Sequence, residues 1–396
     1  MRVLLTDGSG LTARQVAGRL AEAGHRVDSL APDPFCLCRF TRHVHRIRRV
    51  PAFGSDPIAW LDTALAIYAE GGYDLLFPTQ EQVAVLASVP RRLREAGVVT
   101  VVPAFGALAA VQDKASAFRT LAGLGIPQPT GAVGPRGWDR FPAFVKEPIG
   151  TASGGVRRVE SAADLTGAEA DSADLVVQAA VEGPLAMCQA VFDRGSMVAF
   201  HATLRVGEGA NGGASRKRSV ELPAARSWMA VLGSGLGWHG ALSADVIVGP
   251  SGPQFIDINP RLVEPNNAWY SGVDLVGAMV GIAVGDPVTV QDRGRPDVAT
   301  HQTLLAVLGV AQQGRGRRAV ARELVDACRH RGDYADSVEE LTPVHRDPLA
   351  ATPLALASVA TLARPSSWTW FTDASVQNYA LTASAWDEVR RHAEES

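Results

Sequence analysis

The sequence predicts an α/β and α+β protein: an open parallel α/β domain, then a strand-rich antiparallel unit, then a C-terminal extension. Three observations carry this. Over residues 1–103, short apolar strands alternate with helical periodicities, the pattern of a parallel sheet. From about residue 143, strand follows strand through short glycine-containing turns, the pattern of antiparallel pairing. The composition is that of a folded globular chain of two or three domains: 396 residues, 46% hydrophobic, mean hydropathy +0.05.

Each element follows in order. "RVLLTD" (2–7) reads as a short buried strand, "GSG" as a turn, and "TARQVAGRLAEAGH" (12–25) as a helix. "HRVDSLAP", "DPIAWLDTALAIYAEGG", "YDLLFPT", "EQVAVLASVPRRLREAG" and "VVTVVP" then alternate strand and helix. Ligands of such a sheet sit at its carboxyl edge. Gly8-x-Gly10 lacks the third glycine of a dinucleotide fingerprint, so a plain tight turn is expected there. Glu81 is expected as a first-turn acid favoured by the helix dipole. Two helices bracket "QDK" within 104–129, and a Gly/Pro-rich linker leads to a hairpin: strand "AFVKEP", loop "IGTASGG", strand "VRRVES". "LVVQAAV", "AMCQAVFDRGSMVAFHATLRV" and "ALSADVIVGPSGPQFIDINP" supply further strands. From about 290 come the helix "RAVARELVDACRHRG", a Pro-punctuated stretch and the helix "SAWDEVRRHAEE", with no recognisable chemical motif.

Several function classes are disfavoured. With 38 basic and 41 acidic residues the net charge is −3, which argues against nucleic acid or an anionic membrane as partner. The basic run "RFTRHVHRIRR" (39–49) reads as a solvated face. Of Cys36, Cys38, Cys188 and Cys328, the Cys-x-Cys pair alone offers too few ligands for a structural zinc site, and free thiols of a cytoplasmic protein are expected. Neither a signal peptide nor a membrane span is expected.

The chemistry concentrates in "GALSADVIVGPSGPQFIDINPR". Asp and Asn are poor strand formers, yet Asp257 and Asn259 share one strand face, with Arg261 just beyond. Asp245 lies twelve residues upstream of Asp257, across the "GPSG" turn, so a hairpin can set the two carboxylates side by side. Adjacent carboxylates repel or share a proton unless a cation relieves them, and with Asn259 they form the oxygen set of a hard divalent ion. Arg261 can then neutralise a phosphoryl or acyl-phosphate group. Lys146 ends an apolar strand and faces the loop 150–155, whose small residues let backbone N–H groups approach phosphate. In "EGANGGASRKRS", Arg216 or Arg218 is a candidate for a γ-phosphate or a substrate carboxylate.

The succession "QDKASAF", "FVKEPIGTASGGV", "VVQAAVEGP", "GALSADVIV" and "FIDINPR" resembles the ATP-grasp superfamily, which includes D-alanine–D-alanine ligase, biotin carboxylase and the carbamoyl phosphate synthetase large chain. The resemblance spans roughly residues 1–290. It implies a pre-ATP-grasp domain at 1–103, an ATP-grasp domain at 104–289 with a mobile lid at about 115–177, and an extension at 290–396. It implies that Lys114 and Lys146 hold ATP phosphates, with Thr151, Ser153, Gly154 and Gly155 in the flap above them. Gln178, Ala179, Ala180 and Val181 would form the adenine hinge, and Glu182 would substitute for a ribose-binding acid whose usual place is taken by Leu185. Asp245, Asp257 and Asn259 would bind Mg²⁺, or Mn²⁺ in the same ligand set. Arg261 would lie beside the acyl-phosphate and, with Lys146 and the candidate Arg216, makes up the expected catalytic set. The family commonly has Glu where Asp257 and Gln178 stand.

The implied activity is ATP-dependent, ADP-forming ligation of a small-molecule carboxylate, such as an amino acid, to an amine through an acyl-phosphate. A homodimer is common among such proteins. Two rival readings are a non-catalytic nucleotide sensor of the same fold and a nicotinamide-dependent oxidoreductase built on residues 1–103.

Overall fold

The structure, a computed structural model, describes residues 1–151 and 154–395. The first domain builds β1 (Arg2–Leu5), α1 (Leu11–Glu22), β2 (Arg26–Ala31), β3 (Val44–Arg49), α2 (Pro57–Gly71), β4 (Leu75–Phe77), α3 (Val83–Ser88) and α4 (Pro90–Glu95). Its sheet is parallel, in the order β3-β2-β1-β4. Val3, Leu4 and Leu5 are fully buried, which explains an apolar run without alternation: helices cover both faces.

Three details depart from the sequence reading. The basic run forms a strand, β3, at the sheet edge; its charges face water, as expected of a solvated face, and discourage further pairing. The helix expected over 81–97 breaks at Val89, because Pro90 has no N–H to donate and instead begins α4. "VVTVVP" is not a ladder strand. It lies alongside β4, tied by the Leu76 N–H to the Val99 carbonyl at 2.9 Å and the Thr100 hydroxyl to the Leu76 carbonyl at 2.7 Å.

Two helices follow, α5 (Phe105–Gln112) and α6 (Lys114–Gly123). Asp113 separates them and caps α6 by accepting the Ser116 N–H at 2.7 Å. Next comes an antiparallel sheet of β5 (Gly131–Val133), β6 (Ala143–Lys146), β7 (Val156–Val159) and β8 (Val176–Ala179), ordered β5-β8-β6-β7, with the short α7 (Gly167–Ala170) before β8. It has its own small core of Ala143, Val145, Val159 and Val177.

The largest sheet holds β9 (Leu185–Asp193), β10 (Ser196–Glu208), β11 (Ala214–Ser219), β12 (Gly240–Gly249), β13 (Gly252–Asn259), β14 (Ala299–His301) and β15 (Ser337–Glu339), ordered β13-β12-β9-β10-β11-β14-β15. Helices α8 (Pro223–Gly235), α9 (Asn266–Ser271) and α10 (Leu275–Val284) interrupt it in sequence. Met229 and Leu232 of α8 join Phe192, Leu242 and Phe255 in one core, while Leu275 and Met279 of α10 meet Val191 and Ala241 in another.

The last hundred residues are integral to this body. In order they supply β14, α11 (Thr303–Gln312), α12 (Arg317–Cys328), β15, α13 (Ala351–Ala363), α14 (Thr369–Gln377) and α15 (Ala383–Glu395). Helix α15 returns to pack on α2 and α3 of the first domain, and its buried Trp386 meets Phe105 of α5 with ring centroids 5.8 Å apart. The four cysteines are free, and no described helix is long and apolar enough to cross a membrane.

Candidate active site

The β12–β13 hairpin places Asp245 directly opposite Asp257 and Ser243 opposite Asn259. Past Asp257 the register slips by one, so that Val246 faces Phe255 and Ile256 is left as a bulge. The bulge changes the phase of the strand: Phe255 and Ile258 enter the core, while Ile256, Asp257 and Asn259 line the cleft. It also frees the Ile256 carbonyl, which accepts a hydrogen bond from Lys146 Nζ at 2.6 Å.

Charge is crowded here. Burial, reinforced by the Asp257 carboxylate, pushes the Asp245 carboxyl up to about 7 against the pull of Arg205, Lys146 and Arg261. Burial lowers the Lys146 ammonium, with Asp257 opposing and Lys114 assisting. Two such carboxylates and an amide oxygen suit a hard divalent cation, which would relieve the repulsion and take its remaining ligands from a bound molecule and water. Among the described residues no group of three or more His, Cys, Asp or Glu side chains is arranged to hold a metal alone. A cation here would therefore depend on ligand oxygens.

Arg261 is fixed before any ligand arrives. Its Nε donates to Glu81 Oε1 at 3.1 Å, and Nη1 to the Leu262 carbonyl at 3.2 Å. Glu81 thus departs from its expected role: it lies in the turn before α3 and pairs across the domain boundary with Arg261. Lys114 begins α6 and extends Nζ toward the Gly150 carbonyl at 3.4 Å. Thr151 and Gly154 line the cleft. Gly155, at φ +71°, packs against Glu147 instead and accepts its N–H at 2.7 Å. Ser153 lies outside the described residues.

The hinge is only partly as expected. Gln178, Ala179 and Val181 line the cleft, but Ala180 turns away and donates its N–H to the Pro142 carbonyl at 2.9 Å. Glu182, in the connection between β8 and β9, is exposed and does not line the cavity, so the ribose role expected of it has no geometric basis. Leu185 and Met187 form that wall.

Alternation also corrects the assignment of Arg216. In β11, Ser215, Lys217 and Ser219 face inward, whereas Arg216 points out, pairs with Asp333 and lies 5.7 Å over the Tyr334 ring. Lys217 enters the cleft instead, between the carboxylates of Glu264 and Glu340, at 1% side-chain exposure. Burial alone would discharge its ammonium; the two carboxylates outweigh that and raise its pKa. Gln302 donates to both carboxylates. Glu264 is held at φ +52°, a left-handed conformation unusual for a side chain of its size.

Sequence reasoning missed these groups unequally. The alternation of "SRKRS" could have selected Lys217, and Glu264 follows Arg261 by three residues. Glu340, just past β15, and Tyr379, just past α14, are remote in sequence and carry no local signal. Tyr379 lines the cleft, and burial raises its phenol while the nearby Arg261 guanidinium opposes.

The Gly8–Gly10 turn is closed from within: the Asp7 carboxylate accepts the N–H groups of Ser9 and Gly10 at 2.7–3.0 Å. Those are the donors a dinucleotide pyrophosphate would require. Burial raises the Asp7 carboxyl to about 6 despite these bonds.

One continuous cavity of about 960 Å³ connects these groups. No protein-family model matches the chain, and no curated protein does. Solved structures do. The biotin carboxylase domain of Hydrogenobacter thermophilus 2-oxoglutarate carboxylase, solved with MgADP and bicarbonate, aligns over 75% of this chain and 73% of its own, with TM-score 0.58 and 18% identity. An ADP complex of N5-carboxyaminoimidazole ribonucleotide synthetase aligns over 79% and 85%, with TM-score 0.60 and 15% identity. The Thermus thermophilus form of the same synthetase aligns over 76% and 81%, with TM-score 0.56 and 18% identity. The shared architecture is the ATP-grasp fold.

Proposed function

We propose that the chain is an ATP-dependent carboxylate–amine ligase. The observation that carries this reading is the direct opposition of Asp245 and Asp257 on one hairpin, beside buried Lys146. Lys114 and Lys146 would hold the phosphates from the side of the small-residue loop, and Gln178, Ala179 and Val181 would meet the base. Asp245, Asp257 and Asn259 would hold Mg²⁺ or Mn²⁺, which supplies charge neutralisation on the triphosphate when bound.

Arg261, already oriented by Glu81, would stabilise the carboxylate oxygen as it takes the γ-phosphoryl and ADP departs. The acyl-phosphate then loses phosphate to an attacking amine. Glu264 stands at the cleft wall, where its carboxylate can take the amine proton. Positioning supplies most of the catalysis, and no step of this sequence calls for a nucleophilic Ser or Cys. Complexes of similar fold contain ADP, with magnesium in one, which supports the nucleotide half of the proposal.

The test is ADP release from MgATP over pairs of candidate carboxylates and amines. Turnover should require both substrates, and Asp257→Ala should abolish it while leaving the circular dichroism spectrum unchanged. Undiminished turnover by that variant would remove the hairpin from the mechanism.

A further inference from the structure

The cavity has two chemically different ends. One holds the hairpin carboxylates, Lys114 and Lys146. The other is walled by Leu11, Leu37, Leu304, Leu305, Leu308 and Phe371, which pack together as one apolar cluster and its margin. Their origins differ: the start of α1, the turn after β2, the inward face of α11, and α14. Farther out, Phe35, Leu356 and Trp370 line the same cavity and remain 73%, 55% and 65% exposed.

Phosphates and a divalent cation have no use for this wall. Their ligands are oxygen and nitrogen groups at the other end. Large apolar side chains gathered around a concave space are instead favourable contacts for an apolar ligand that displaces water from them. Arg261 and Tyr379 line the same continuous space. A carboxylate held at Arg261 can therefore extend its substituent toward α11 and α14.

Resting on the ligase reading above, we propose that the carboxylate substrate carries a bulky apolar substituent, aromatic or branched aliphatic, seated against Leu304, Leu308, Phe371 and Trp370. Small and polar carboxylates would leave the wall hydrated. One methylene in an apolar pocket is worth roughly 10- to 200-fold in discrimination. Phenylalanine, leucine and 3-phenylpropanoate should accordingly exceed acetate, serine and glutamine by at least about tenfold.

The experiment combines calorimetric binding of these six probes to the full chain, in the presence of MgADP, with phosphate release from MgATP and a panel of amines. Trp370→Ser and Phe35→Ser alter exposed side chains, so the fold should survive, as an unchanged denaturation midpoint would verify. In the double variant the preference for phenylalanine over glutamine should shrink at least about fivefold, a part of the discrimination available from several lost apolar contacts. Equal or tighter binding of glutamine, an undiminished preference in the double variant, or no binding of any apolar probe overturns the proposal. Phosphate release driven by polar carboxylates alone would overturn it and leave the ligase reading intact. Binding of apolar carboxylates without phosphate release with any amine would keep the wall's assignment and defeat the ligase reading.

Discussion

Lys217 is one cation facing two carboxylates, and all three side chains are shielded from water. Lys217→Met would leave Glu264 and Glu340 opposed without compensation. Removing one partner from a buried ionic group costs about 3–5 kcal/mol, so the urea midpoint of this variant should fall accordingly. Its neighbour predicts the opposite. Arg216 pairs with Asp333, which is mostly exposed, and such pairs contribute about 0–1 kcal/mol. Arg216→Ala should therefore keep both its stability and its rate of ADP release.

The two residues also mark what local sequence makes legible. Asp257 and Asn259 are conspicuous because polar residues at period two are out of place in an apolar strand. Lys217 is one of three adjacent cations, and only the strand's phase distinguishes it. The mates of Lys217 at 264 and 340 become visible only after folding.

His201 carries a pH dependence. Burial lowers its pKa to about 4, with Asn267 bonded to Nε2 at 2.8 Å partly opposing. Between pH 6.5 and 4 the unfolded chain binds a proton that folded His201 refuses. Its stabilising share is therefore complete above 6.5 and is lost as pH falls toward 4, by on the order of 3 kcal/mol. Asp7 acts in the opposite sense: its folded pKa is raised to about 6, so its share is greatest at low pH and is lost as pH rises through 6. The wild-type curve sums both. Subtracting the curve of His201→Gln isolates the histidine, and the difference should grow between pH 6.5 and 4.

Elements read locally were legible where one signal dominated: the apolar β1, the capped α6, and the hairpin around "GPSG". They were illegible where a tertiary contact decided the outcome. Helix α11 is nearly all apolar, because it is buried all round, and offers no amphipathic stripe to identify it. It packs so closely on the 209–213 loop that a Cβ on Gly309 would stand 2.6 Å from the Gly209 backbone. That loop contributes Ala210, Asn211, Gly212 and Gly213 to the cleft. Gly309→Ala must push the helix and loop apart, an overpacking that costs about 1–3 kcal/mol. The expected result is a lower urea midpoint together with a raised KM for the carboxylate, since the displaced elements border both the core and the cavity. A variant with the lower midpoint and an unchanged KM would show that the helix yields without disturbing the loop.

The chain as a whole is less modular than its sequence suggests. The extension expected after residue 290 supplies two strands of the large sheet, Glu340 in the Lys217 cluster, and Asp347, which pairs with buried Arg14 at 2.8 Å. Ser375 and Asn378 bond to Ser9, so α14 is tied to the turn after β1. Little of this was legible: the Arg14–Asp347 pair and the bonds to Ser9 join segments more than three hundred residues apart, and even the β11–β14 pairing and the Lys217–Glu340 contact span long stretches of intervening chain. Helix α15 provides the cleanest separation of stability from chemistry. Trp386 is 4% exposed, packs near Phe105 and α3, and does not line the cavity. Trp386→Ala should lower stability by about 3–5 kcal/mol while leaving the KM for ATP unchanged at a temperature where the variant stays folded. Removing residues 365–396 deletes α14 with α15, and so takes away Phe371 and Tyr379 as well. That truncated chain should lose turnover even at temperatures where Trp386→Ala is fully active. If the truncated chain turns over wherever it stays folded, the tail serves stability alone and the cleft wall drawn from α14 has no part in the reaction.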